Sequence, residues 1–433
     1  MLIAAVIIAT VSVVAFILCI LFQVQVPRKG VLSVKLYPFV PLLGGALMIL
    51  FGVIKWKDVA TSFFENSSVN PIKILVLFLS MTIFSLILDQ AGFFGYISGV
   101  VLKKAGHNQT IVFLSLYAVI SLLTVFTSND IVILTFTPFI CHFCKSANIQ
   151  PTPYLMMEFV AANTWSLFLL IGNPTNIYIS GAFEINFFEY MRVMALPTVT
   201  VGVFSLLIML FLFGKQLKTP IHCQVKNVEI TNKPLMIISL VHLLLCVVLL
   251  AISQYLPLEM WLISLTVAIS AILCSTICLG IQGRGQKAVS RAIRNMPFEI
   301  IPFIIGMFLI VLGLDRSGVT QAIATAIPNA NHPFMFGFLS LFASNILNNI
   351  PMSVLFSRIL SFTSSSSAIY ATIAGSNIGA FLTPFGALAG IMWSNLVKQN
   401  KVHFSVYRFI GYGSLIGIPS FAASLLVLQL ILG

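Results

Sequence analysis

Four short polar clusters interrupt a chain that is otherwise apolar over long stretches. They are Thr127-Ser128-Asn129-Asp130, Gly172-Asn173-Pro174-Thr175-Asn176, Ser344-Asn345 with Asn348-Asn349-Ile350-Pro351, and Ser376-Asn377-Ile378-Gly379 with Leu382-Thr383-Pro384-Phe385-Gly386. Serine, asparagine and aspartate cap helix starts, while proline and glycine break helices from within. Each cluster therefore exposes half-helix ends whose backbone N–H groups are unpaired and carry partial positive charge. Such ends hold anions or neutral oxygen acceptors, and unwound carbonyls with Asn, Ser and Thr oxygens suit cations. The candidate binding residues are Ser128, Asn129, Asp130, Asn173, Pro174, Thr175, Asn176, Asn348, Asn349, Ser376, Asn377, Thr383 and Gly386. The plainer reading is that these residues cap turns and join helices. The chemistry is capture and release. No nucleophile–base pair, metal cluster or H-E-x-x-H motif stands out, so neither an enzyme nor a cofactor is expected.

Among the eleven acidic residues, only Asp130 and Glu158 fall at depth within apolar runs. An unpaired carboxylate there costs about 2.5–3.5 kcal/mol on insertion scales, a cost that a bound proton removes. Both are candidates for proton coupling. The alternatives are a helix cap at Asp130 and a buried structural partner at Glu158. Arg358, about two turns beyond Pro351, either attracts an anion or snorkels to the interface. Cys141 with Cys144, and Cys274 with Cys278, share helix faces that a soft ion could bridge, against the simpler role of apolar packing.

The elements that position these residues follow from composition. Of 433 residues, 59% are hydrophobic and 8% charged, against about 25% charged in an ordinary soluble domain. That excludes a soluble, disordered or disulfide-framed chain. The net charge of +12 lies between apolar runs, which points to membrane orientation and away from nucleic acid. A span takes roughly 20 apolar residues. Spans are expected at about 3–24, 36–54, 72–90, 155–181, 193–213, 234–254, 260–282, 298–314, 369–395 and 409–431. The regions 110–145 and 334–362 are broken in the middle and read as re-entrant hairpins, with backbone tolerated at depth only where protein or water surrounds it. With the N-terminus outside and both hairpins returning to their own side, 17 of the 23 Lys and Arg fall on the cytoplasmic side and 6 opposite. Reading the first hairpin as a full crossing would export the basic clusters 215–233 and 284–294. The first 22 residues lack a charged leader and a cleavage site, and read as a retained span.

The two halves repeat one another. Leu88-Asp89-Gln90-Ala91-Gly92 ends one span and Leu314-Asp315-Arg316-Ser317-Gly318 another. Each is followed by a surface stretch, a hairpin and a long interrupted helix. The expected fold is an all-α polytopic membrane protein, one domain over 1–433. Its inverted-topology repeats cover about 72–213 and 298–431, each with a re-entrant hairpin and a broken helix.

The chain resembles the ArsB/NhaD group of the ion transporter superfamily, to which citrate and dicarboxylate carriers also belong. The resemblance rests on Leu88 to Phe94, Asn129-Asp130 with Leu134-Thr135 and Thr137-Pro138, Asn348 to Pro351, Gly375 to Trp393, and the Gly172 to Asn176 element. It covers roughly 36–430. It implies a site where hairpin tips meet unwound helices, lined by Asn129, Asp130, Asn173, Thr175, Asn348, Asn349, Asn377 and Thr383. It further implies export of arsenite or antimonite in a cell (plasma or inner) membrane, driven by protons or by an ATPase subunit, with a homodimer as one assembly. The dicarboxylate branch has Ser-Asn-Thr at both tips. Here Ser128-Asn129-Asp130 and Asn348-Asn349-Ile350 stand instead, which favours an exchanging carboxylate over a sodium-bound dicarboxylate. Arsenite or antimonite export against protons leads. A sodium–proton antiporter and a carboxylate or other anion carrier are the alternatives.

Overall fold

The computed structural model describes residues 1–22, 24–28, 31–64, 70–105, 108–221, 229–256, 258–327, 332–362 and 365–433. Lys29, Lys226, Glu65, Cys223, His107 and His222 lie outside the described residues. The first half begins with α1 (Leu2–Leu21), a two-stranded antiparallel ribbon β1 (Gln25–Arg28) and β2 (Val31–Lys35), α2 (Phe39–Leu50) and the short α3 (Trp56–Phe64). It continues through α4 (Pro71–Gln90), α5 (Phe93–Ala105), α6 (Gln109–Phe126), α7 (Asn129–Ser146), α8 (Thr152–Trp165), α9 (Pro174–Ala182) and α10 (Phe187–Leu217). The second half comprises α11 (Lys233–Ala251), α12 (Met260–Ile281), α13 (Lys287–Arg294), α14 (Ile300–Arg316), α15 (Val319–Ala326), α16 (Pro333–Leu347), α17 (Asn349–Leu360), α18 (Ser366–Ile378), α19 (Leu388–Gln399) and α20 (Val406–Leu432). Among the described residues seven helices are long and apolar enough to cross a bilayer, and the bent pair α14–α15 adds an eighth. The protein is a multi-pass membrane protein.

The chain reverses at both hairpin tips. The Tyr154 ring lies 6.0 Å from Phe113 early in α6 and 5.7 Å from Phe143 late in α7. A straight helix over the 30 residues between those phenylalanines (143 − 113) would separate them by about 45 Å. Likewise Phe336 in α16 and Phe356 in α17 are 6.3 Å apart, where a straight helix would give about 30 Å. The two LDxxG motifs end α4 and α14 with glycines in the left-handed region, Gly92 at φ 84 and Gly318 at φ 81. That conformation lets α15 leave α14 at 72°.

Helices from opposite halves interlock. α2 packs against α14, and α12 packs against α4. Small residues permit the first contact: a Cβ on Gly306 would lie 2.1 Å from the Leu42 nitrogen. α4 is the most buried of the long helices, with 78% of its apolar window inside the protein against 33% for α1. Asn70 caps it by accepting from the Ile72 and Lys73 amides at 2.9 and 3.3 Å, with Pro71 next in line.

Ion pairs tie the loop ends. Lys35 meets Glu299 at 3.0 Å, Arg316 meets Asp58 at 3.1 Å, and Lys73 pairs with Glu259. Each pair joins residues that the charge count assigns to a common side. Lys73 and Glu299 occupy matching positions, each 16 residues before the aspartate of its LDxxG motif (89 − 73 and 315 − 299).

The expected span over 36–54 needs correction. Its helix holds only 12 residues, about 18 Å, too short to cross a core of about 30 Å alone. Pro38 stands at its N-cap, and Gly52 at φ 69 stops it early. The ribbon before it was not expected either.

Candidate functional site

At the first tip Ser128 is extended (φ −120, ψ 153) and α7 starts at Asn129. The Asn129 Oδ1 accepts from the Asp130 amide at 3.0 Å, and its Nδ2 donates to Asn163 Oδ1 at 3.0 Å. The tip is thereby pinned to α8. Asp130 is 8% exposed and faces a cavity of about 460 Å³ between α4, α7, α19 and the 294–299 segment. The cavity reaches the surface beside Lys35, Arg294 and Glu299. Among the described residues no cation pairs with Asp130.

The two broken helices meet at Asn377. Its Oδ1 accepts from Asn173 Nδ2 at 2.8 Å and Ser166 Oγ at 3.2 Å. Its Nδ2 donates to Asn176 Oδ1 at 2.8 Å and to the Ile373 carbonyl at 3.0 Å. Ser376 Oγ donates to Thr175 Oγ1 at 3.1 Å. Asn173 caps α9, with Pro174 at its first position, by accepting from the Thr175 amide at 3.1 Å. Asn176 Nδ2 donates back to the Ser166 carbonyl at 2.8 Å, closing the gap between α8 and α9. Asn173, Asn176 and Asn377 are buried and spend their amides on one another, so this cluster locks the halves together at their unwound points.

The second tip is strained. Asn348 has φ 72 and ψ 151, a region that costs a residue with a Cβ about 1–3 kcal/mol. It is held by its Nδ2 donating to the Phe385 carbonyl at 3.0 Å and by the Asn349 amide donating to the Gly386 carbonyl at 2.9 Å. Thr383 Oγ1 donates to Asn345 Oδ1 at 2.6 Å, and Asn345 Nδ2 donates to the Gly379 carbonyl at 2.9 Å. The tip therefore docks onto the break between α18 and α19. Gly379 lies two residues from Asn377, which makes the tip and the central node continuous.

The candidates divide by what they leave open. The broken-helix asparagines are saturated, whereas Ser128 Oγ, Asn348 Oδ1 and Asn349 Oδ1 are buried with no partner. Each such orphan is costly; among the described residues eight others are spread over other helices, and the tips are where orphans coincide with broken helix ends. Glu158 is fully buried away from the cavity. Its Oε1 accepts from Thr137 Oγ1 at 2.7 Å, its Oε2 has no hydrogen-bond partner, and the Trp393 indole lies beside it. Arg358 is half-buried and, among the described residues, pairs with no carboxylate. Cys141 and Cys144 are buried, Cys274 and Cys278 half-buried. No described group of three or more His, Cys, Asp or Glu residues converges as a metal site. Asn163 and Ser166 were missed. Their only signal was polarity inside an apolar run, which a helix join also explains. Asn345 belongs to the Ser344-Asn345 pair but is not among the binding residues that the sequence singles out.

The sequence profile of the citrate transporter family (CitMHS) matches residues 17–371. The chain is 24% identical over 407 residues to an arsenical pump membrane protein of Escherichia coli, covering 90% of this chain and 92% of that protein. It is 25% identical over 370 residues to an arsenical pump membrane protein of Yersinia enterocolitica, covering 82% and 85%. In three dimensions it is similar to the crystal structure of the Alcanivorax borkumensis YdaH transporter, with TM-score 0.56, 13% identity and 97% coverage of both chains. At that identity the likeness is one of fold.

Proposed function

Because the chain belongs to the citrate transporter family (CitMHS) and is a membrane transporter of small ions, we propose that it is a secondary carrier exporting a small inorganic oxyacid, arsenite or antimonite, in exchange for protons. The observation that carries this reading is the set of buried, unpartnered oxygens at the two hairpin tips: Ser128 Oγ, Asn348 Oδ1 and Asn349 Oδ1. A neutral trihydroxy solute offers O–H donors to such acceptors and needs no cationic clamp. No lysine or arginine stands at either tip. The names of the bacterial relatives agree with this substrate class.

Asp130 is the proposed exchange group. It sits one residue past Asn129, faces the open cavity, and lacks a cation, so a proton is the natural counter-charge at that depth. Glu158 is the second proton candidate. In this reading the hairpins enter the membrane from opposite sides, the repeats cover about 72–213 and 298–431, the N-terminus is outside and the membrane is the cell (plasma or inner) membrane. Asn173, Thr175, Asn377 and Thr383 complete the site as the framework behind the tips, their polar groups engaged with neighbouring side chains. A homodimer and an ATPase subunit are implied by the resemblance alone.

A second reading, sodium–proton antiport, is favoured by the same carboxylate standing among Asn and Ser oxygens, a hard-cation donor set. Flux in proteoliposomes separates the two. Arsenite-dependent proton movement without a sodium response supports export of the oxyacid. Sodium-dependent proton release without arsenite supports antiport and refutes the first reading. Asp130→Asn is expected to abolish coupled flux at unchanged insertion, and full flux in that variant removes Asp130 from the mechanism.

A further inference from the structure

The helix α13 is eight residues long, and the basic residues Arg284, Lys287, Arg291 and Arg294 run through and before it at intervals of 3, 4 and 3. All four are exposed. At about 100° per residue, Lys287, Arg291 and Arg294 fall within an arc of about 60°. Val289 and Ala292, buried against the bundle, face the opposite way. Among the described residues none of the four lies within ion-pair distance of a carboxylate. Arg284 Nη1 donates only to the Thr231 carbonyl at 3.3 Å.

Beside this stripe a crevice of about 290 Å³ runs between α12 and α13, lined by Ile272, Thr276, Gln286, Val289, Ser290 and Ile293. The Gln286 Nε2 donates to the Thr276 carbonyl at 3.0 Å and fixes the two walls relative to each other. Next to the crevice, α12 presents Leu273, Ile277 and Ile281 at 56, 60 and 83% exposure. A stripe at four-residue spacing that is this apolar and this exposed faces acyl chains. The crevice thus opens to the hydrocarbon layer at one side and to an unneutralised row of cations at the other. Membrane orientation accounts for a basic loop. It does not account for an apolar slot set against the cations.

We propose that this crevice and stripe form a binding site for an anionic phospholipid of the leaflet on the basic side. One acyl chain lies against Ile272 and Ile293, and the phosphate is held by Lys287 and Arg291, arginine supplying the forked donor pair that suits phosphate oxygens. The leaflet's own negative potential adds to the attraction. Because Arg294 at the end of α13 lines the cavity that holds Asp130, and α13 packs on α4, the lipid braces the mouth of that cavity. The site stands whatever solute the protein carries.

The test uses the full-length protein in detergent, titrated with dioleoyl phosphatidylglycerol or dioleoyl phosphatidylcholine, with thermal unfolding as readout. Phosphatidylglycerol is expected to raise the melting temperature more than phosphatidylcholine, and free glycerol phosphate not at all. Lys287→Gln and Arg291→Gln, made singly so that three of the four cations remain, are each expected to weaken the phosphatidylglycerol response about fivefold in concentration. The two lipids are compared on the same variant, so a variant that is merely less stable lowers both temperatures and leaves their difference intact. Equal responses to the two lipids, a response to glycerol phosphate, or variants with the wild-type phosphatidylglycerol response would each overturn the site.

Discussion

Replacing Asn377 by alanine tests whether the unwound helices are held together by the asparagine node. In the folded protein the Asn377 amide accepts from Asn173 Nδ2 and donates to Asn176 Oδ1, at 2.8 Å each. Ser166 keeps an alternative acceptor in the Asn163 carbonyl at 3.0 Å. Asn377→Ala therefore strands two polar groups at sites that are 0–1% exposed, and each stranded group costs about 1–3 kcal/mol. The expected loss is roughly 2–6 kcal/mol, a large share of the 5–15 kcal/mol typical of a folded chain. Thermal unfolding of purified protein should fall by about 2–7 °C, since an unfolding entropy of about 2.1 cal/mol/K per residue gives roughly 1 °C per kcal/mol in a chain of 433 residues. A cycle with Asn173→Ala sharpens the test. The double variant no longer strands the Asn173 amide, so its loss should be about 1–2 kcal/mol smaller than the sum of the singles. A melting temperature within one degree of wild type, or strictly additive losses, would refute the node.

Two further substitutions bear on the site and the scaffold. Glu158→Gln retains an acceptor for Thr137 Oγ1 while removing the exchangeable proton; wild-type stability with lost or uncoupled flux is expected, and normal coupled flux would leave Glu158 as a packing partner. Gly306→Ala drives a Cβ to 2.1 Å from the Leu42 nitrogen, and the overpacking should cost about 1–3 kcal/mol. Gly280→Ala, where a Cβ meets nothing within 4 Å inside α12, should instead gain about 0.5–1 kcal/mol; thermal unfolding of both variants checks the contrast.

The breaks were legible because polar residues are conspicuous in apolar runs and because proline and glycine act locally. Thus Gly172 to Asn176 and Leu382 to Gly386 mark real gaps, between α8 and α9 and between α18 and α19. The length of α2 was not legible, since apolarity over 36–54 counts residues suited to lipid and not residues that are helical. Nor was the pairing of α2 with α14 and α12 with α4, which depends on shapes meeting across about 170 residues or more. At the site, the residue types were readable but their bookkeeping was not. Asn173, Asn176 and Asn377 satisfy one another, while Asn348 and Asn349, of the same type and equally buried, keep a free oxygen each. Only geometry distinguishes an asparagine that glues from one that waits for a guest.

The ion pairs between the halves give them distinct identities. Lys35 and Lys73 both belong to the first half, and their partners Glu299 and Glu259 both belong to the second. Two copies of the first half arranged like this protein would set lysine against lysine on either face, and two copies of the second would set glutamate against glutamate. At these contacts the two halves are not interchangeable. Each half is complementary there in charge to the other and repulsive towards a copy of itself.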